Sequence, residues 1–559
     1  MAMQTGARVL AEMLDGYGVT HIFSVPAVLR RTMAELERHT SIARVRPHGE
    51  KPSAYMADGF ARASGRPGVC MAQVIGAQNL AAGLRDAHLA HSPVIAFTGG
   101  RDATTKFRKV YQEVDDLPSF DNVTKFNVTV DTVERIPDLV RQAFRVATTG
   151  SPGPVHIQFA GNEGQVDLGE AEMEAVVDEQ FMSVPPFRPL PDESAIQRVV
   201  AALQGAERPV FVAGGGVKAS GAGNALVAIA EALAIPVATS LNGKDIIPGV
   251  HPLCVGVVGS YSRASANSTV AEADLICFVG TETGGMTTHF WQVPEIGRRC
   301  IQIDIDPEAL GRNYPLEVAV QGDAKVTLTR MLEIADSGTA EQRAGWVAQA
   351  QERVFDWRRE FAPLLTSESN PIRPEYLSAQ LSDIIPDDGV FVVDTGHAGM
   401  WMGGMYDVRT TEQSYLRSGG HLGWAFPAAL GAKCAVPDRP VVCFTGDSGF
   451  WYHVGDIETA VRWNINAVTI VNNNSSGNQS KRGFDRAYGG EQTEQAGELW
   501  KFTDVNFAKI AEEMGAVGIR VEKAADFAPA MERAINMDRP VVVDVVTDID
   551  ALAPLAVTK

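Results

Sequence analysis

The 559-residue chain is notable first for what it lacks. No apolar run is long enough to cross a bilayer, so a helical membrane protein is not expected. Basic residues are outnumbered: 49 Lys and Arg against 68 Asp and Glu leave a net charge of −19. That balance argues against nucleic acid or an anionic membrane as partner. The six cysteines are scattered, mostly within apolar runs such as VVCFT and LICFV, without a CxxC pair. They read as reduced core thiols of a cytoplasmic protein. The opening MAMQTGARVLAEMLDGYG has an amphipathic helical pattern with acidic residues, unlike a signal or transit peptide. No GxGxxG fingerprint occurs; GGG after RPVFVA is only a weak phosphate-loop signal.

What is present is a soluble globular composition, 45% apolar and 21% charged, over a length that suggests three domains. Apolar strand patterns alternate with helical ones, which predicts an α/β protein of three doubly wound parallel-sheet domains. The expected ranges are 1–165, 190–335 and 370–550, with an acidic, then Pro-rich linker over 166–190 and a helical, then polar one over 336–372. Expected strands include Gly18–Pro26, Arg66–Val74 and Ser92–Gly100 in the first domain. Arg208–Val217, Ile235–Ser240, Asp274–Gly280 and Arg299–Asp306 are expected in the second.

The most informative stretch runs from Gly446 to Gly477. A buried strand, VVCFT, meets Gly-Asp-Ser-Gly, read as a tight turn; His453–Arg462 has helical spacing; AVTIV is a second strand, ending on three asparagines. Right-handed crossover brings both strand ends to one edge of a parallel sheet. Asp447 and Asn474, 27 positions on, then have the oxygen chemistry for a shared hard cation such as Mg²⁺. Backbone N–H groups at Gly446, Ser448, Gly449 and Gly477 suit a diphosphate. Each half alone is also an ordinary turn.

Together these residues resemble the signature of thiamine diphosphate-dependent enzymes, GDG followed by a double Asn, with Ser448 in the third position. The resemblance implies Asp447, the Asn474 amide and the Ser476 carbonyl as magnesium ligands. It widens at the other end of the chain. Glu50, followed by Asp58, Gly59, Ala61 and Arg62, matches the start of the family's pyrimidine-binding domain. A carboxylic acid there favours the cofactor's imino tautomer, its internal base, and burial should raise that acid's pKa. A helix start after Pro52 is expected, with Ala54–Ala63 helical.

Further positions follow from the resemblance. Pro26 and Asn79 lie in segments near the cofactor, although VIGAQN replaces the usual GPGAxN and Ser24 and Ala27 replace glycines. Gly49, not His, precedes Glu50. Gln112, in YQEVD, is a candidate substrate contact. GVFVVDTGHAGMWM reads as a strand ending at Gly396, followed by His397 and Ala398 at the diphosphate; His397 also faces substrate in this reading. In the Gly-rich loop at Gly420, Leu422 props the cofactor into a bent shape. Val28 and the polar segment Gln479–Leu499 are further pocket and lid candidates, and Val505–Met514 is an expected helix.

The resemblance covers nearly the whole chain and is to the acetolactate synthase, benzoylformate decarboxylase and 2-hydroxyacyl-CoA lyase group. It implies a homodimer or homotetramer whose sites form across two subunits, acting on a 2-oxo acid or acyl substrate. A carboligase of the acetolactate synthase type is the first expectation. A simple decarboxylase or lyase, a FAD-dependent 2-oxo acid oxidase and a silent cofactor-binding paralogue are the alternatives. FAD is a possible ligand of the middle domain.

Overall fold

The computed structural model describes residues 2–555 and contains three six-stranded parallel sheets. Each sheet is covered by helices on both faces, which is why its strands are nearly continuous apolar runs: Gly68–Ala72, Leu275–Val279 and Val390–Val393 are buried throughout. The fold is α/β and doubly wound three times over.

The first sheet runs Ala43–Val45, His21–Ser24, Gly68–Ala72, Val94–Gly99, Val155–Phe159, Phe126–Val130. The third has the same topology: Ser414–Arg417, Val390–Val393, Val441–Gly446, Val468–Asn473, Val541–Val546, Val517–Val521. In each, the chain leaves the first and third strands of its domain in opposite directions, creating a crevice beyond their carboxyl ends, where ligands of such sheets bind. The middle sheet runs Cys254–Val257, Val237–Thr239, Pro209–Ala213, Leu275–Val279, Cys300–Asp304, Val318–Gln321. Counted within its own domain this is the 3-2-1-4-5-6 order of dinucleotide-binding sheets.

Several local expectations are corrected. The helix expected after Pro52 begins two residues earlier and spans Glu50–Ser64, so Glu50 is its first residue. The strand expected to reach Gly396 stops at Val393; Gly396, at φ +71°, turns the chain into a helix, Gly396–Gly404. Asp447 does not sit in a tight turn but starts a short helix, Asp447–Trp451, and the following helix begins only at Asp456. The helix expected over Val505–Met514 is Phe507–Glu513, capped by the Asn506 side chain. Within the expected linker, Glu170–Met173 is a strand, paired antiparallel with Ala2–Thr5. Edge pairing of this kind joins segments far apart in sequence and leaves no local periodic signal.

The first and third domains pack through two helices, Glu50–Ser64 and Ala425–Ala435. Their contact is backbone to backbone. A Cβ on Gly59 would overlap the carbonyl of Ala428, and one on Gly431 would overlap that of Met56. Small side chains, Ala57, Ala61, Ala428, Ala429 and Ala432, fill the seam as part of one continuous core. Among the described residues no helix is long and apolar enough to cross a membrane.

Candidate active site

Gly446 pairs in register with Asn472, so the ends of Val441–Gly446 and Val468–Asn473 lie side by side. Asp447 follows the first and is buried, at 2% exposure. Its Oδ1 accepts the Ser448 N–H at 2.6 Å and its Oδ2 accepts the Ser476 N–H at 3.1 Å. Burial pushes its carboxyl up to about 7, against the opposing pull of these backbone N–H groups. The Asn474 amide oxygen accepts the Ser476 hydroxyl at 2.8 Å, and both residues are buried. One edge thus gathers a carboxylate, an amide oxygen and the Ser476 backbone. Among the described residues no group of three or more His, Cys, Asp or Glu is arranged to hold a metal. This mixed oxygen set, with its one carboxylate raised by burial, fits Mg²⁺ completed by water and phosphate oxygens.

The residues around it leave room for a ligand. Nothing lies within 4 Å of where a Cβ would project from Gly446 or from Gly420, and a Cβ on Gly477 would meet the Ser448 hydroxyl at 3.5 Å as its nearest neighbour. Gly449 is closed, since its Cβ would run into Asp394 and Thr445. Leu422 is half-buried beside Gly420, whose φ of +146° is left-handed.

His397 and Ala398 occupy the first turn of Gly396–Gly404, beyond the neighbouring strand of the same crevice, and both are buried. Asn478 accepts from His397 Nδ1 at 2.8 Å, its own amide N–H groups being donated to the carbonyls of Ile549 and Ala551. This network assigns the proton to Nδ1 and leaves Nε2 an acceptor. Burial lowers the imidazole to about 4, with the nearby positive Arg482 acting in the same direction, so it is neutral near pH 7.

Glu50 lies elsewhere. It is half-buried at the start of its helix, and its carboxylate accepts from the Asn79 amide at 3.3 Å. The backbone of Gly76 packs directly against that carboxylate, where a Cβ would overlap it. Within one chain, Glu50 has no hydrogen bond or ion pair to the third domain among the described residues. Its neighbours do: the His48 N–H donates to Asp456 at 2.9 Å, and Lys51 lies over the Tyr452 ring at 5.4 Å. Gln112, at φ +64°, accepts from Gln73 at 2.9 Å, just past the strand Gly68–Ala72. Pro26 is exposed at the mouth of the first domain's crevice. Val28 is instead 2% exposed within the first domain's own core, and is corrected to a packing residue. Gln479–Leu499 contains a helix, Lys481–Ala487, and a 3₁₀ segment, Glu494–Leu499.

The sequence reading missed three polar residues here. Asn478 orients His397. Asp394 and Asp86 hold the loop bearing Leu422, as described below. Asp394 ends an apolar strand at the crevice, a signal available in VFVVD; Asp86, inside a helix, carried none.

In the middle domain, Gly214 and Gly216 are closed against Gly280, whose backbone a Cβ on either would meet. Gly215 alone faces space, with Asn242 Cβ at 3.6 Å.

Comparison with known proteins covers all three sheets. Residues 4–119 match the thiamine pyrophosphate enzyme N-terminal TPP-binding domain, 196–331 its central domain and 394–545 its C-terminal TPP-binding domain. A probable acetolactate synthase large subunit of Methanocaldococcus jannaschii is 31% identical over 557 residues, covering 97% of this chain and 92% of that protein. The acetolactate synthase large subunit of Corynebacterium glutamicum is 30% identical, covering 98% and 87%. A glyoxylate carboligase of Escherichia coli O157:H7 is 29% identical, covering 98% and 94%.

Proposed function

The chain belongs to the thiamine diphosphate-dependent enzymes related to acetolactate synthase large subunits, and from this we propose that it is a carboligase that makes or breaks a carbon–carbon bond beside the carbonyl of a 2-oxo acid. The observation that carries the proposal is the crevice edge where the buried Asp447 carboxylate, Asn474 and Ser476 gather, with the neutral His397 on the helix that follows the adjoining strand.

Thiamine diphosphate, when bound, supplies an acidic ring carbon and an electron sink for such bonds. Asp447, the Asn474 amide and the Ser476 carbonyl would hold Mg²⁺. Gly446, Ser448, Gly449 and Gly477, with Ala398, would surround the diphosphate with backbone. Leu422 and Gly420 would shape the bend. His397 Nε2 accepts a hydrogen bond from a substrate or water O–H. Gln112, Pro26 and Asn79 line the complementary half.

Glu50 would hold a proton at the pyrimidine ring nitrogen. That role needs a dry surrounding, yet in a single chain Glu50 is only half-buried. A second subunit whose third-domain crevice closes over Glu50 supplies it, so the working unit is a homodimer or a dimer of dimers with sites across the interface. The middle domain's strand order and the space at Gly215 suit FAD or ADP; visible absorption of the purified protein would reveal the former, and analysis of the nucleotide released on denaturation the latter. All six cysteines are free thiols, in keeping with a cytoplasmic enzyme.

The test is product analysis. Protein supplied with thiamine diphosphate, Mg²⁺ and pyruvate or glyoxylate, with and without a second carbonyl acceptor, should yield the coupled hydroxy-oxo acid. Aldehyde as sole product would make it a decarboxylase; flavin bleaching with substrate would make it an oxidase.

A further inference from the structure

We propose that Asp86, a first-domain residue, is a positioning residue for the third-domain loop that carries Leu422; this rests on the reading of Leu422 as the residue that shapes the bound cofactor. The loop Ser418–Gly423 lies between the strand Ser414–Arg417 and the helix Ala425–Ala435 without regular structure of its own. Three of its six residues are glycine, and Gly420 and Gly423 have φ of +146° and +87°. Such a segment has little intrinsic stiffness. A prop that must place a ring to within a fraction of an ångström cannot rely on it.

The stiffness comes from two fully buried carboxylates, one in each domain. Asp86 lies on the helix Ala77–Leu89 at 0% exposure. Its Oδ1 accepts the Gly419 N–H at 2.7 Å, and its Oδ2 accepts the Ser418 hydroxyl at 2.9 Å and the His421 N–H at 3.2 Å. The Ser418 oxygen in turn accepts the Gly420 N–H at 3.0 Å. Asp394 holds the other end: both its oxygens accept the Gly423 N–H at 3.1 Å, and Oδ2 also accepts the Thr445 hydroxyl at 2.8 Å. Leu422 hangs between the two anchors.

Asp86 is paired with Arg62, whose guanidinium donates to it at 2.9 Å, to Asp58 at 2.6 and 2.7 Å, and to the Arg417 carbonyl at 2.7 Å. Arg62 also stacks under Trp424, whose indole N–H donates to Asp58 at 2.8 Å. The cluster therefore grips both ends of the loop's base and ties them to the helix that begins at Glu50. Asp86 touches neither the Asp447 edge nor His397. Its action passes through the loop.

Asp86→Asn is nearly isosteric but turns one acceptor into a donor among donors. In cofactor-free protein, amide hydrogen exchange at Gly419 and His421 should quicken at least about tenfold, with the strand Val441–Gly446 unaffected. In the loaded protein, exchange of the cofactor's reactive C–H should fall by about 10²-fold while Mg²⁺-dependent cofactor affinity stays within about threefold. Combined with Leu422→Ala, it should add no further loss, because both act through one side chain. Wild-type loop exchange in Asp86→Asn, or losses that multiply in the double variant, would overturn the proposal. If Asp86→Asn does not fold, Ser418→Ala, which removes one of the bonds, should show the same pattern at a few-fold scale; no change in it overturns the proposal equally. Leu422→Ala with an undiminished C–H exchange would instead defeat the prop reading, leaving the amide result to judge Asp86's hold on the loop.

Discussion

His397 Nδ1 lies 2.8 Å from the amide oxygen of Asn478, and this one contact sets the chemistry of the histidine. Asn478 has no freedom to rotate, since its nitrogen is bonded at 2.9 Å to Ala551 and 3.2 Å to Ile549. The imidazole therefore presents an unprotonated Nε2 from the first turn of its helix.

A pH dependence follows. Burial holds the folded His397 at about 4, while in the unfolded chain it returns to 6.5. Between those values the unfolded state binds the additional proton, so His397 makes stability fall as pH drops from about 6.5 to about 4. His397→Gln should flatten the slope of unfolding free energy against pH there by up to ~1.4 kcal/mol per pH unit. Urea unfolding at intervals from pH 4 to 7 measures it; an unchanged slope would mean that the folded imidazole titrates normally.

Asp447→Ala should remove Mg²⁺-dependent retention of thiamine diphosphate. The loss should exceed the roughly 10–100-fold that an outer-shell partner is worth to a metal site. Equilibrium dialysis with and without the ion is the measurement, and undiminished cofactor content would contradict the assignment.

Glu50→Gln should slow exchange of the cofactor's reactive C–H by about 10²-fold or more, with the cofactor still bound. Mixing Glu50→Gln chains with Asp447→Ala chains should restore about a quarter of wild-type activity, since half the dimers formed then hold one intact site. Two inactive populations that stay inactive after verified subunit exchange would place each site within one chain.

Gly59→Ala would ordinarily stabilise a helix by up to ~1 kcal/mol. Here the sign should reverse, because the new methyl would overlap the Ala428 carbonyl across the helix seam. A net loss of about 1–3 kcal/mol is expected, with a lower unfolding midpoint. Gly65→Ala is not a suitable control because of its φ of +69°; Gly205, with open space around it and no left-handed φ, is.

Much of this protein is written locally. Continuous apolar runs such as VVCFT and LICFV name the buried strands, and the spacing of Asp447 from Asn474 follows from a single strand–helix–strand unit, so the juxtaposition of these two strand ends could be read without a structure. Periodicity and turn chemistry act over a few residues, and these features need no more. Element ends were less legible. Glu50 starts its helix and Gly396 opens another because packing and a left-handed glycine decide there, against the local pattern. Tertiary structure alone decided that the Glu50 carboxylate is held by Asn79 of its own domain, that Val28 is core, and that Asp86 meets Ser418 from another domain. A hydrogen bond spanning 332 positions has no trace in local sequence. Its partners are chosen by the close approach of two glycine-bearing helices, and only the folded chain brings those helices together.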